Sequence, residues 1–255
     1  MLDYDKEADR YDATRGGEPR AAAAAAAVLA LVPDDARSLL DVACGTGIVT
    51  SGLAAGRPGL RVTGADAAHG MALRAAERLP GAVVRADGRR LPFPEGSFDA
   101  VCAVWLLHLL DDAGPVIAEA ARVLRPGGVF VTTVDKAAAH QVGSDIDALT
   151  ALCPPGHAED GTGRVTAYAA EHGLVPSGTA LFRGHGQGRT PRGVARYIRS
   201  GRLYAAGGPR LAERVETLPG PDVPRREPDF TLRAFRRNRT RADRPGPGVR
   251  GLSSG

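Results

Sequence analysis

A glycine loop with acidic residues on either side is the strongest chemical signal in the sequence. Residues 39–47 read LLDVACGTG, which predicts a short apolar strand, a loop and the start of a helix. Glycines let a backbone approach a ligand closely, and the helix N-terminus offers free N–H groups and a positive dipole. Asp66 follows Gly47 by 19 residues, an interval at which a carboxylate can bind both hydroxyls of a ribose. The pattern therefore predicts a ribose-containing ligand at this loop.

Two residues argue against a dinucleotide in this place. The dinucleotide fingerprint needs a third glycine, and Thr50 stands at that position. Asp41 lies inside the strand just before the loop, where its carboxylate would repel a pyrophosphate. The glycine loop and the strand-end acid together favour a different cofactor.

These residues must be positioned by the surrounding elements, and strand and helix signals alternate along the chain. The predicted strands are residues 38–42, 60–65, 82–86, 98–104, 129–134, 179–183 and 229–236. The predicted helices are residues 19–31, 47–55, 72–79, 114–124, 163–171 and 191–204. Such alternation indicates βαβ units and a parallel sheet that is covered on both faces. Residues 217–228 carry four prolines and are predicted to be a loop.

Five segments resemble, in order, the motifs of the class I S-adenosylmethionine-dependent methyltransferases. They are LDVACGTG at 40–47, GAD at 64–66, RADGRRLPF at 85–93, SFDAVCAVWLLHL at 97–109 and EAARVLRPGGVFV at 119–131. Their order and intervals make the resemblance specific for fold and cofactor over about residues 35–135. The YDATR segment at 11–15 resembles the small-molecule branch of the family, typified by ubiquinone and menaquinone C-methyltransferases.

The resemblance implies that S-adenosyl-L-methionine is the cofactor and that the glycine loop binds its methionine portion. Gly45 and Gly47 would let that portion lie against the backbone of the loop, which also contains Ala43. Asp41 would orient the loop or reach the amino group of the cofactor through water.

The remaining cofactor contacts are implied in the same way. Asp66, followed by Ala67, would bind the ribose hydroxyls. Asp87 would accept a hydrogen bond from the adenine amino group, and the Gly88 N–H would meet the ring. The other expected contacts are the backbone of Ala103 and Val104 at the amino group, with Tyr11 and Arg15 closing over the cofactor.

Methyl transfer needs few catalytic groups, because the methyl group of this cofactor is already activated by a sulfonium. The protein mainly places the acceptor in line and excludes water. A general base is needed only where the acceptor must lose a proton. The candidate bases or substrate anchors are His108 after the fourth strand, Asp135 at the end of the fifth and His140 in the next loop. A purely structural role is the alternative for each, and the sequence contains no metal-binding motif.

The implied architecture is α/β and Rossmann-like, with seven mostly parallel strands, an antiparallel last strand and helices on both faces. Residues 1–34 are expected to form an N-terminal arm and helix over the cofactor, and residues 35–237 the methyltransferase domain. Residues 190–228 are predicted to be a lid or insertion between the last two strands, with plain packing as the alternative. Residues 238–255 show no periodicity and predict a flexible basic tail.

The net charge of +4 divides unevenly along the chain. Residues 181–255 hold 17 basic and 6 acidic side chains, whereas residues 1–180 hold 16 basic and 23 acidic ones. A basic segment is typical of nucleic-acid binding or of a solvated arm. The segment lacks the interleaved aromatic residues on which bases stack. A small-molecule methyl acceptor is therefore the expected partner, rather than a nucleic acid.

Composition excludes several classes of protein. With 43% hydrophobic and 24% charged residues, the chain is typical of a globular protein rather than a disordered or collagen-like one. Its three cysteines lie far apart without a CxxC pair, which favours neither a zinc site nor a disulfide framework. The longest apolar run, residues 21–32, is shorter than the roughly 20 residues of a membrane span. A polar start unlike a signal peptide leads us to expect a cytoplasmic protein, with a homodimer left open.

The expected reaction is methyl transfer to an O, N or C atom of a small metabolite, in bacterial and specifically secondary biosynthesis. Three alternatives remain open at this point. The basic third could serve an RNA methyltransferase, the scaffold could serve a cyclase that does not methylate, or the chain could be a non-catalytic binding protein. An RNA affinity that falls steeply with salt would identify the first alternative. An unchanged product mass would identify the cyclase, and the absence of cofactor turnover would identify the binding protein.

Overall fold

Seven strands form one sheet in the computed structural model, which describes residues 3–151, 158–201 and 208–238. The strands are β1 (Ser38–Val42), β2 (Arg61–Asp66), β3 (Val83–Arg85), β4 (Phe98–Ala103), β5 (Leu124–Val134), β6 (Leu174–Arg183) and β7 (Asp229–Arg237). Their spatial order is β3-β2-β1-β4-β5-β7-β6. The first five pair in parallel, and β7 pairs antiparallel with both β5 and β6. The predicted Rossmann-like sheet with an antiparallel last strand is confirmed.

Helices cover both faces of this sheet. They are α1 (Tyr4–Glu7), α2 (Tyr11–Thr14), α3 (Gly17–Leu29), α4 (Ile48–Gly56), α5 (His69–Arg78), α6 (Gly114–Val123), α7 (Lys136–Ala139), α8 (Asp145–Thr150), α9 (Thr162–Glu171), α10 (Pro191–Arg199) and α11 (Gly208–Glu216). A single 3₁₀ turn, Leu107–Leu109, follows β4. Apolar side chains of α3 and α4 belong to one core, and those of α6 and α9 belong to another.

The central strands are apolar almost throughout because both of their faces are buried. Leu39 and Leu40 are neighbours in β1, and each is fully buried in a different core. Successive side chains of a strand point to opposite faces, so one strand supplies both cores. Such a strand, with apolar side chains on both of its faces, is typical of a parallel sheet covered on both sides. It leaves the loops after the strands free to form a ligand site at the carboxyl edge.

Strand β6 is longer than the sequence predicts. The strand signal covers residues 179–183, whereas β6 begins at Leu174 and shifts register between Pro176 and Gly178. Because β6 lies at the edge of the sheet, Pro176 can occupy a position whose N–H would face away from a partner strand. The VPSG stretch therefore forms part of a strand without showing an alternating pattern.

The connection from β6 to β7 forms a third apolar cluster with α8. Its buried members are Ile146, Val194, Ala195, Ile198, Leu211, Ala212 and Val215. α10 ends at Arg199, and residues 202–204 of the longer predicted helix lie outside the described residues. α11 was not predicted, because its Gly-Pro start resembles a loop, although proline is well suited to the first turn of a helix. The predicted loop at 217–228 is confirmed.

Ion pairs hold much of the positive charge of residues 181–238. Arg225 contacts Asp145 at 2.7 Å, and Arg237 contacts Glu95 at 2.7 Å. The arginines of this region with a carboxylate partner are Arg183, Arg192, Arg199, Arg225, Arg226 and Arg237. Their charge is thus largely neutralised within the fold.

The predicted tail lies outside the described residues from residue 239 onward. In the three described ranges, none of the helices combines the length and the apolar character needed to cross a membrane. The same ranges bring together no group of three or more His, Cys, Asp or Glu side chains that could hold a metal ion.

Candidate functional site

A cavity of about 550 Å³ opens where the parallel strands end. The loops after β1, β2, β3 and β4 line it, which is where open α/β sheets bind ligands. Among the predicted cofactor residues, those that line the cavity are Tyr11, Asp41, Ala43, Gly45, Asp66, Ala67, Asp87, Gly88 and Val104. The other three, Arg15, Gly47 and Ala103, lie outside the lining. The fold therefore brings together motifs that are far apart in the sequence.

The loop after β1 forms one wall through a left-handed backbone. The φ angle is +57° at Ala43, +58° at Gly45 and +76° at Gly47. A Cβ atom on Gly45 would meet nothing within 4 Å, so this glycine borders open space in the cavity. A Cβ atom on Gly47 would lie 2.9 Å from the Cα atom of Ala75 in α5. Gly45 thus leaves room for a ligand, and Gly47 lets the loop pack against the next helix.

Asp66 ends β2 and connects two loops of the site. Its Oδ2 atom accepts a hydrogen bond from the Gly45 N–H at 2.8 Å, and its Oδ1 atom accepts one from the Ala68 N–H at 2.9 Å. Burial raises the pKa of this carboxyl group, while the same N–H groups oppose the rise. Each carboxylate oxygen keeps a further lone pair for a hydroxyl donor. Asp66 can therefore fix the glycine loop and bind a ligand at the same time.

Asp41 lines the cavity as a carboxylate that is only 2% exposed. The Thr50 hydroxyl donates to its Oδ2 atom at 2.6 Å, and the Cys102 thiol donates to its Oδ1 atom at 3.4 Å. Burial raises the pKa of Asp41 to about 6, with the charge of Asp66 acting in the same direction. At pH 7 this buried negative charge would be stabilised by a cation in the cavity.

The loop after β3 adds a partly exposed carboxylate and a narrow apolar slot. Arg89 donates to both oxygens of Asp87, at 2.7 Å for the shortest contact, and lowers the pKa of that carboxyl group. A Cβ atom on Gly88 would lie 2.8 Å from Val42, with Val116 and Leu106 also within 4 Å. The slot at Gly88 therefore suits a flat ring.

The N-terminal segment covers one side of the cavity. Its lining side chains are Tyr4, Tyr11 and Arg20. Asp12 holds the segment in place, because it accepts a hydrogen bond from Thr46 at 2.6 Å and contacts Arg78 at 2.7 Å. Arg15 lies behind the lining, with its guanidinium 5.8 Å from the centre of the Tyr11 ring.

Arg20 is a nearly buried cation in the cavity wall that the sequence did not predict as a site residue. Its guanidinium carbon lies 4.1 Å from the centre of the Trp105 ring, and its Nε atom has no hydrogen-bond partner. Burial lowers the pKa of this residue, and the Tyr11 hydroxyl opposes that effect. Trp105 itself has an unusual φ of +58°, and its backbone N–H donates to the Thr133 hydroxyl at 2.7 Å. The sequence signal that could have identified Arg20 is its position as a charged residue at the start of an alanine-rich run.

The three candidate bases lie outside the cavity lining. Asp135 accepts hydrogen bonds from the N–H and the hydroxyl of Thr162, at 3.0 and 2.5 Å, and so caps α9. His140 packs edge-on against Phe230 at 5.5 Å, and burial lowers its pKa to about 3. Burial likewise lowers the pKa of His108 to about 2, and its Nδ1 atom has no hydrogen-bond partner. A catalytic role for these residues stays a prediction.

The buried His108 is expected to make the fold sensitive to acid. Because its folded pKa of about 2 lies below the unfolded value of 6.5, the unfolded chain takes up the proton between these values, and stability falls as the pH drops below 6.5. Replacing His108 by phenylalanine should remove about 2 kcal/mol of the loss between pH 7 and pH 5. Urea unfolding at both pH values measures this, with the exposed His172→Gln as the control. Equal acid losses in both variants would contradict the prediction.

Two comparisons of the sequence with known proteins both find methyltransferases. Residues 40–132 match the family model described as a methyltransferase domain. The ubiquinone/menaquinone biosynthesis C-methyltransferase UbiE of Desulfotalea psychrophila is 38% identical over 96 residues, which cover 36% of this chain and 39% of that protein. The 27-O-demethylrifamycin SV methyltransferase of Amycolatopsis mediterranei is 40% identical over 97 residues, 35% of each chain. The chain therefore matches well under half the length of these relatives.

Solved structures share the fold over most of the chain. The cyclase SpnF superposes with a TM-score of 0.60 at 20% identity, covering 93% of this chain and 94% of SpnF. Geranyl diphosphate methyltransferase in complex with SAM superposes with a TM-score of 0.53 at 19% identity, covering 85% of each chain. At this level of identity the likeness concerns the fold alone. Residues 40–132 are thus a methyltransferase domain that resembles that of UbiE, and the described residues share the fold of a solved methyltransferase in complex with SAM.

Proposed function

We propose that this protein transfers a methyl group from S-adenosylmethionine to an O, N or C atom of a small molecule. The observation that carries the proposal is the single cavity in which Asp41, Gly45, Asp66 and Gly88 meet. The names of the curated relatives, which concern quinone biosynthesis and a rifamycin, favour a bacterial biosynthetic acceptor. The ion-paired arginines of residues 181–238 favour a small molecule over a nucleic acid.

The residues present fit this cofactor in three places. The buried charge of Asp41 suits the ammonium group of the methionine portion, and Asp66 has lone pairs for the ribose hydroxyls. The slot at Gly88 suits the adenine ring, and the neighbouring Asp87 lies at its rim. Gly45 leaves the loop open where a side chain would stand in the ligand's place. The bound cofactor would supply a methyl group that is activated by its sulfonium.

The chain's own contribution is to orient the acceptor and to exclude water. Tyr4, Tyr11 and Arg20 cover the side of the cavity that the sheet leaves open. Trp105 and Leu106, at the end of β4, form the wall that continues beyond the glycine loop. With these walls in place, a bound acceptor would be held in a largely enclosed space. We also propose that residues 1–34 are the cover of the cofactor site.

Calorimetric binding of S-adenosylmethionine to the full chain tests the proposal. Asp66→Asn is expected to weaken the affinity at least tenfold, because a charge-assisted acceptor is lost and the glycine loop loses one of its N–H contacts. Gly88→Val is expected to do the same by filling the slot, without touching Asp66. Glu171→Gln removes an exposed carboxylate on α9 and serves as the control, with circular dichroism to verify folding. Unchanged affinity in both folded site variants would refute this cofactor site.

A further inference from the structure

We propose that the methyl acceptor is a small molecule with an anionic group, a carboxylate or a phosphate, which binds among Arg20, Lys136 and Arg189. The proposal rests on the proposed function and names the substrate class of that same site. The three cations come from α3, the first residue of α7 and the loop before α10, so no single motif contains them. Arg20 lines the cavity together with Trp105, whereas Lys136 and Arg189 are not part of its lining.

The first observation is that two arginines each have a buried donor atom without a partner. The Nε atom of Arg20 and the Nη1 atom of Arg189 are both buried, and neither has a hydrogen-bond partner. Arg20 is only 6% exposed and lines the cavity. Buried donors without acceptors cost free energy, so they point to a ligand with acceptor atoms. Carboxylates and phosphates match the fork of donors on arginine.

The second observation is that the charges of both arginines act on Lys136. Burial lowers its pKa to about 8, and the positive charges of Arg15, Arg189 and Arg20 act in the same direction. Each of the three arginines is therefore close enough to Lys136 for its charge to act on it. In the described part of the chain, none of them has a carboxylate within 4 Å.

The acids near this group are already engaged. Asp160 raises the pKa of Lys136, but its carboxylate accepts the backbone N–H of that residue at 2.8 Å. Asp12, which acts on Arg20, contacts Thr46 and Arg78. The nearby imidazoles of His108 and His140 are neutral at pH 7, because burial lowers the pKa of each to 3 or below. The local charge is thus positive, and an anion would balance it.

Aromatic side chains lie beside these cations. Trp105 contacts Phe182 and Phe230, with ring centres 5.4 and 5.8 Å apart, and His140 reaches the other side of Phe230. Arg20 stacks on Trp105 at 4.1 Å. An acceptor with an apolar or aromatic body could therefore pack here while its anionic group meets the cations. Trp105 is the only tryptophan of the chain, which makes its fluorescence a local reporter.

Probe binding to the full chain tests the proposal. Benzoate, phenyl phosphate and neutral benzamide are titrated at pH 7 in the presence of S-adenosylhomocysteine, with Trp105 fluorescence as the readout. At least one anion is expected to bind at least tenfold more tightly than benzamide, and the preferred anion tells a carboxylate site from a phosphate site. Lys136→Met and Arg189→Gln should each weaken its binding about tenfold, since each removes a charge-assisted hydrogen bond. Lys136→Arg should restore most of the affinity, and Arg196→Gln, on the exposed face of α10, should change nothing.

The controls separate this inference from the proposed function. Calorimetry with S-adenosylhomocysteine reports the cofactor site alone, and Lys136→Met and Arg189→Gln should leave that affinity unchanged. Equal binding of benzamide and the anions, or no saturable binding of either anion, would overturn the anionic acceptor even where the cofactor binds. Arg20→Gln should weaken anion binding in the same assay. If it weakens only cofactor binding, the assignment of Arg20 to the acceptor is wrong.

Discussion

Replacing Gly47 by alanine is expected to lower the free energy of unfolding by about 3 kcal/mol and to abolish cofactor binding. Two costs add at this position. A side chain at a φ of +76° is in the left-handed region, which costs about 1–2 kcal/mol. The new Cβ atom would also lie 2.9 Å from the Cα atom of Ala75, an overlap with backbone that typically costs a further 1–3 kcal/mol. The loop can relieve the overlap only by moving away from α5, which displaces Gly45 and Asp66.

Gly59→Ala is the matched control for this prediction. Gly59 has a φ of +90°, but a Cβ atom there would meet nothing within 4 Å. It should therefore cost only the backbone strain, about 1 kcal/mol, and leave cofactor affinity intact. Denaturant unfolding and calorimetry measure the two effects separately. If both variants lose the same stability, the contact with α5 is not what requires glycine at position 47.

The cofactor side of the site, which is built from the loops after consecutive strands, could be predicted from the sequence. The glycine loop after β1 and the acid at the end of β2 depend on local backbone geometry and on a regular strand spacing, which leave a pattern in the sequence. The parallel sheet then places Asp41, Gly45 and Asp66 at one edge without further information. The confirmed parallel sheet with its antiparallel last strand and the nine predicted residues in the cavity wall follow from this regularity.

The acceptor side could not be predicted in the same way. Arg20, Lys136 and Arg189 stand in three unrelated segments, and their proposed common site depends on the packing of α3 against the loop after β6. The close approach of the Gly16 backbone to His185 shows that this docking is a contact of two irregular segments. Such contacts depend on tertiary packing and have no periodic signal. The same reason explains the missed first half of β6, where an edge position tolerates Pro176.

Replacing Asp41 by asparagine is expected to stabilise the cofactor-free protein at pH 7 by about 1–3 kcal/mol. The folded pKa of about 6 exceeds the unfolded value of 3.8, so the folded state binds more protons than the unfolded one between these values. Stability contributed by the protonated carboxyl is present below pH 3.8 and is lost as the pH rises toward 6. At pH 7 the buried charge therefore costs about 3 kcal/mol. An amide removes this cost and can still accept the hydrogen bond from Thr50.

The same substitution at Asp99 should have the opposite effect, which makes it the control. Asp99 lies at the other end of the sheet, where its carboxylate accepts the N–H groups of Arg37 and Ser38 and contacts Arg125 at 2.6 Å. Although burial opposes the change, these partners lower its pKa. Asp99→Asn should therefore destabilise the fold at pH 7. Urea unfolding from pH 4 to 8 measures both variants, and a loss of stability in Asp41→Asn at pH 7 would contradict our account of the buried charge.

The stability that Asp41→Asn gains should be accompanied by a loss of cofactor affinity of tenfold or more. The reason is that the ammonium group of the methionine portion would lose its buried counter-charge. A buried carboxylate that weakens the free protein is retained where a ligand cation compensates it, so the two effects have one origin. Cofactor binding by the original protein should then weaken as the pH falls below about 6, when Asp41 takes up a proton. Asp41→Asn should bind weakly at every pH and lose this dependence. Calorimetric titration of S-adenosylmethionine between pH 5 and 8 would reveal the coupling, and parallel pH profiles for the two proteins would exclude Asp41 as its source.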